Sequence, residues 1–217
     1  MNKTAMYDLE QIKALTESAV HGCRLELVPN GSAANQPSLW VDNDHALAVA
    51  RFLRDDPALC FDYASNVTGV DWPDVTVNET VMVKKVIAGV EQEFDVPRAI
   101  VKPGFLEAVY HLYSMRCKHG PLILRLRTEN RTGQTHVPSL TPIYRGAEFQ
   151  EREIYDLFGI VFDGHPDLRR LLMWEEFQDH PMRKDYRAPD DYEYEPTPHG
   201  EILEKARRHY SPEVKHG

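Results

Sequence analysis

Leu9, Ile12, Leu15 and Ala19 recur at three- and four-residue steps, so residues 6–20 predict an amphipathic helix. Residues 24–28 read as a strand, and Pro29-Asn30-Gly31-Ser32 as a turn that opens a polar loop up to Pro37. Leu39-Trp40-Val41 begins a second strand. Asp42 or Asn43 then caps a helix whose apolar face is Ala46, Val49, Ala50 and Leu53. Pro57 opens an apolar segment that ends near Trp72. From Thr80 to Ile87 the β-branched residues predict a strand, and Ala88-Gly89 a hairpin turn. Phe105 to Ser114 places Leu106, Ala108, Tyr110 and Leu112 on one face. Leu122, Leu124 and Leu126 alternate with Ile123, Arg125 and Arg127, the pattern of a half-buried strand. Strands in succession with few helices between them predict an α+β fold: a mixed or antiparallel sheet covered by helices, with an extended C-terminal arm.

The charge pattern changes at residue 141. Thr141 can cap a helix with Pro142 in its first turn, and Gly159 suits the position after its end. Ile143, Ala147, Ile154 and Phe158 form its apolar stripe, and Glu151 falls on that stripe. A carboxylate there calls for a cation, because desolvating the charge is costly. Glu148, Arg152 and Asp156 are spaced four apart, so the helix can carry an ion-pair ladder. Arg169, Arg170, Arg183 and Lys184 are further cations in the following loop. Residues 1–140 therefore read as an α+β core, 141–186 as a helix and docking loop of the same domain, and 187–217 as an arm. In that arm Asp190, Asp191, Glu193 and Glu195 alternate with Tyr192 and Tyr194 ahead of a short basic-ended helix.

Composition narrows the classes. The chain has 217 residues, 42% hydrophobic and 27% charged, enough for a sizeable core. Its net charge of −9 disfavours a free nucleic-acid binder. Cys23, Cys60 and Cys117 lie far apart without a Cys-x-x-Cys pair. That argues against a zinc or iron–sulfur site in this chain and, with no signal peptide, for a reducing compartment. No apolar window approaches the roughly 20 residues of a spanning helix, so membrane contact is expected only through another protein.

Two readings of the acids stay open. Glu151, Glu153 and Asp156 can be an acid/base set, with His165 beside them in a free-standing hydrolase. Alternatively they form a buried or interfacial ion-pair network, which is favoured because no Ser, Cys or Lys nucleophile and no glycine-rich phosphate loop accompanies them. Asp163, His165 and Asp167 have a spacing that could hold a metal, but Asp163-Gly164 and Pro166 more simply fix a turn, and His180-Pro181 repeats that chemistry. Met173, Trp174 and Phe177 after the double arginine suit a protein interface.

The motifs Glu151-Arg152-Glu153, Asp156, Gly159, Phe162, Gly164-His165-Pro166, Arg170, Leu172-Met173 and Pro181 to Tyr186 resemble the signature of the thirty-kilodalton subunit family of NADH-quinone oxidoreductase, respiratory complex I. Val109 to Leu112 and Ile143-Tyr144 to Phe149 also fit. The resemblance is close over about 105–186 and looser before. This chain departs from the motif at Met182, commonly Leu, and Arg187, commonly Pro, and is longer between Trp72 and Phe105. The resemblance implies a cofactor-free structural subunit of the quinone module of a proton-translocating enzyme. It would pack against the large quinone-site subunit and neighbouring peripheral-arm subunits on the cytoplasmic face of the bacterial inner membrane. NADH, FMN, iron–sulfur clusters and quinone would belong to partner subunits, and no catalytic residue to this chain. Glu151, Arg152, Glu153, Asp156, His165, Arg169, Arg170, Trp174, Arg183, Lys184, Asp185 and Tyr186 are the expected partner-interface residues. The same region also resembles the equivalent small subunit of complex-I-like membrane-bound hydrogenases.

Overall fold

A computed structural model describes residues 7–87 and 90–187. The predicted arm and the Ala88-Gly89 turn lie outside the described residues. The elements run α1 (Leu9–Ala19), β1 (Leu25–Val28), β2 (Ser38–Val41), α2 (Ala46–Asp55), β3 (Tyr63–Trp72), β4 (Val75–Ile87), β5 (Val90–Lys102), β6 (Phe105–Ser114), β7 (His119–Arg127), β8 (His136–Pro138), α3 (Glu148–Phe158) and β9 (Val161–Asp163). The fold is α+β, as the pattern predicts.

Five strands form the main sheet in the order β1-β2-β7-β6-β3. All neighbours are antiparallel except β2 and β7, which run parallel. One face carries Leu106, Ala108, Tyr110 and Leu112 of β6 and Leu122, Leu124 and Leu126 of β7, all buried against the helices. Helix α2 contributes the expected Ala46, Val49, Ala50 and Leu53. Asp42 takes the His45 N–H just ahead of that helix, whereas Asn43 reaches away to the Arg127 carbonyl. Helix α1 departs from its predicted stripe. Leu15 and Ala19 are exposed, and Thr16 is buried in their place, its hydroxyl returned to the Ile12 carbonyl at 2.7 Å. Asp8 and Gln11 close a capping box at its start.

The insertion between Trp72 and Phe105 is a hairpin of two thirteen-residue strands, longer than the expected strand because pairing begins at Val75. At ~3.4 Å per residue each strand spans about 44 Å. The Gly104 N–H donates to Asp74 at 2.7 Å and ties off its base.

The helix predicted from Pro142 starts later. Residues 141–143 form a turn, Arg145–Ala147 a 3-10 turn, and α3 begins at Glu148 with Ala147 at its cap. Thr141 does not cap it; its hydroxyl meets Ser139 Oγ at 2.6 Å. The predicted stop is in place, with Gly159 at φ 73°, the left-handed conformation that glycine tolerates best. A Cβ there would overlap the His180 ring. Strands β8 and β9, too short to read from sequence, pair in parallel and bring the chain before α3 alongside the chain after it. On β3, Gly69 lies against the Phe158 ring, where a side chain would collide, so α3 packs directly onto the sheet.

Candidate functional site

Helix α3 turns Glu151 and Asp156 inward, and both are 0% exposed. Among the described residues no cation pairs with Glu151, contrary to the expectation from its place on the apolar stripe. Three neutral donors hold it instead: Tyr110 Oη at 2.9 Å, Ser139 Oγ at 2.6 Å and the Leu140 N–H at 2.9 Å. Burial raises its pKa from 4.5 to about 7, against the opposing pull of those three hydrogen bonds. Burial likewise pushes the Tyr110 phenol well above its ordinary value, with Glu151 adding to the rise. The carboxyl thus links the sheet, the turn after β8 and α3.

Asp156 is held differently. Its Oδ1 accepts Arg170 Nη1 at 2.7 Å, and its Oδ2 accepts the N–H groups of Leu171, Leu172 and Met173 at 3.0, 2.7 and 2.9 Å. Burial alone would raise its pKa, but the three backbone donors and Arg170 outweigh that and lower it. One carboxylate therefore nucleates the loop that follows β9. The predicted ladder along α3 does not form. Arg152, only 3% exposed, donates instead to the carbonyls of Arg169 and Arg170 at 3.2 and 3.1 Å, because the loop closes over it.

The Asp163, His165 and Asp167 side chains do not converge. Asp163 meets His136 Nδ1 at 2.8 Å, and Asp167 meets Arg169 Nε at 3.0 Å. His165 Nε2 faces the Glu148 carbonyl, and its Nδ1 accepts the Asp167 N–H. These contacts describe a braced turn. His180 Nδ1 lies 3.1 Å from the Asp156 carbonyl. Glu153 is exposed.

The end of the segment is clamped with the help of two residues that the sequence does not single out, Asp71 and Arg131. Arg183 donates to the Phe158 carbonyl at 2.7 Å and to the Arg131 carbonyl at 2.9 Å. Asp71, 2% exposed at the end of β3, accepts Arg131 through both oxygens and also the Lys184 N–H at 2.8 Å. Arg131 in turn reaches Asp185 at 3.0 Å. The Lys184 ammonium lies 5.7 Å over the Trp72 ring. The Tyr186 N–H donates to the Arg183 carbonyl. Nothing local in Val70-Asp71-Trp72 or in the Asn130-Arg131-Thr132 turn signals this clamp, because it joins positions 60 and 113 residues apart. For the same reason the sequence places Tyr110 on a core face but does not show that it and Ser139 hold Glu151.

Chemically, the segment is a brace. Glu151 and Asp156 expose no oxygen to solvent. Apolar groups face outward instead: Leu172 is 63% exposed, Phe149 60%, Met182 56% and Trp174 38%, with Trp174 edge-on to Phe177 at 4.8 Å. Among the described residues no helix is long and apolar enough to cross a membrane.

The sequence model of a family described as respiratory-chain NADH dehydrogenase, 30 Kd subunit, matches residues 39–192. An NADH-quinone oxidoreductase subunit of Saccharopolyspora erythraea is 40% identical over 69% of this chain and 48% of its own length. Its namesake in Roseiflexus sp. strain RS-1 is 34% identical over 82% of this chain and 80% of its own. The chain thus spans about half the length of the first of these relatives. A chain in the structure of the membrane-bound sulfane sulfur reductase, an archaeal respiratory membrane complex, shares the fold at TM-score 0.53 and 18% identity, over 93% of this chain and 90% of that one.

Proposed function

This chain belongs to the family of the 30 kDa subunit of respiratory-chain NADH dehydrogenase, and from that premise we propose that it is a cofactor-free structural subunit of the quinone module of proton-translocating NADH:quinone oxidoreductase. In this reading it packs against the large quinone-site subunit and its peripheral-arm neighbours. NADH, FMN, iron–sulfur clusters and quinone reside in those partners. Attachment to the cytoplasmic face of the inner membrane comes through the complex.

One observation carries the reading. The buried acids of the signature segment are consumed within the chain, while its large apolar side chains point outward. A catalytic site would invert that arrangement, keeping a carboxylate accessible. A docking face needs a rigid loop that presents aromatic and apolar anchors within a polar rim. Glu151, Arg152, Asp156, Arg170 and Arg183 set the shape of the loop, and His165 braces its turn. Glu153, Arg169, Trp174, Lys184, Asp185 and Tyr186 are the rim and anchors offered to the partner.

Affinity purification of the tagged chain from detergent-solubilised membranes tests this. The expected result is recovery of flavin- and cluster-bearing subunits with NADH:quinone activity. Leu172→Glu should reduce that recovery without shifting the melting temperature of the isolated chain. Recovery of hydrogenase subunits, or a flavin or cluster spectrum in the chain alone, would overturn the proposal.

A further inference from the structure

The main sheet has a second face that the helices do not cover. On β6, Phe105, Glu107, Val109 and His111 alternate with the core residues and point to this side. Across the ladders, Trp72 stands opposite Phe105, Arg127 opposite Glu107 and Arg125 opposite Val109. These residues line a groove of about 480 Å³. Trp40 on β2 lies beside Arg125 in the parallel pairing. The hairpin β4–β5 is a separate two-stranded sheet and does not extend this one.

The groove is cationic in a chain whose net charge is −9. Glu107, the one carboxylate among the described residues that line it, is 0% exposed and fully engaged. Oε1 accepts Arg127 Nη2 at 3.0 Å, and Oε2 accepts Trp72 Nε1 at 2.7 Å and lies 3.1 Å from Arg125 Nη2. Two guanidinium groups against one carboxylate leave a positive charge, and Lys184 over the Trp72 ring adds another at the rim. Arg127 also stacks on Phe105 at 4.1 Å.

A second observation points to a missing acceptor. Among the residues that line the groove, Arg125 Nε is a buried donor with no hydrogen-bond partner among the described residues, and His111 Nδ1 has none either. A buried donor left unpaired costs about 1–3 kcal/mol, so native structures rarely keep one without reason. Tryptophan and arginine around an unpaired donor have the composition of a binding hot spot.

We infer that this open sheet face is a second docking surface, which receives an acidic segment of a partner protein whose carboxylate reaches the Arg125–Arg127 floor. A protruding side chain suits the site better than an anionic bilayer does. The arginines are recessed, with side chains 16% and 31% exposed, and a flat surface would meet Lys184 at the rim rather than the floor. The inference rests on the assembly reading for the existence of a partner, but not on the docking loop after β9.

Thr68 lies on the same face opposite Val109, is exposed and takes no part in the Glu107 network. The full chain carrying a benzophenone amino acid at position 68 is irradiated in membranes, and the cross-linked peptide is identified by mass spectrometry. The expected product joins Thr68's position to an Asp/Glu-rich segment of a co-purifying subunit. Thr68→Glu should lower recovery of that protein at least fivefold, Thr68→Gln should not, and the isolated chains should melt alike. A cross-link to lipid, to residues 188–217 of the same chain or to an acid-poor segment overturns the inference. So does no cross-link in a complex that co-purifies normally, which leaves the assembly reading intact. Failure of any subunit to co-purify removes both.

Discussion

Glu151→Gln separates a carboxyl held neutral from one held as an anion. The side chain is 0% exposed, is held by neutral donors and titrates near 7 in the fold against an ordinary 4.5. A raised acid pKa means that folding favours the protonated form. The native state is therefore unpenalised below pH 4.5 and loses stability as pH rises towards 7, beyond which the loss is constant. Linkage between those two values gives a penalty of about 1 kcal/mol at pH 5 and about 3 kcal/mol at pH 8. Glutamine mimics the protonated acid: its oxygen can accept from Tyr110 and Leu140, and its nitrogen can donate to Ser139 Oγ, which turns to Thr141. The remaining amide N–H costs about 1 kcal/mol at either pH. The variant should match the native chain at pH 5 and exceed it by about 2 kcal/mol at pH 8. Urea denaturation of both chains at the two pH values measures this, and the fixed cost cancels from the change between them. A variant that is weaker at pH 8, or a difference that does not grow with pH, would refute the reasoning and make Glu151 an anion stabilised by its three donors.

Asp156→Asn should behave in the opposite sense. It leaves Arg170 without its carboxylate and turns an amide towards donors, costing about 3–5 kcal/mol at pH 7 in the same assay. Because the native pKa is depressed, the contribution of Asp156 exists above 3.8 and disappears as pH falls through the folded value, so the variant and native midpoints should converge in acid. A near-native midpoint at pH 7 would contradict the role given to the Arg170 and backbone donors around Asp156. Asp71→Asn should loosen the clamp on residues 183–186. Losing one charge-assisted hydrogen bond, about 1.5–3 kcal/mol, predicts roughly tenfold or faster tryptic cleavage after Arg183 or Lys184. Unchanged cleavage would show that Asp71 does not hold that segment.

Local patterns were legible wherever one periodicity met one burial direction. The alternation of β6 and β7, the face of α2 and the glycine stop of α3 all stand in the structure as the sequence predicts. The start of α3 was not legible, because Thr141 and Pro142 are as suitable for a turn as for a first helical turn, and pairing of β8 with β9 decides between them. Leu15 misled for a related reason. Spacing gives a stripe, but only the neighbour packed against it sets the stripe's centre, and here that centre falls on Thr16.

The sequence by itself determined the α+β class, the family signature and the outlying character of the segment that carries Glu151 and Asp156. Only the tertiary structure decided what those acids do. A carboxylate's role depends on which donors surround it, and here they come from β6, from the turn after β8 and from backbone N–H groups that carry no sequence code. In the same way, Arg125 and Arg127 read as the polar side of an alternating strand. Only pairing with β6 placed them around Glu107 and made that side a cationic groove.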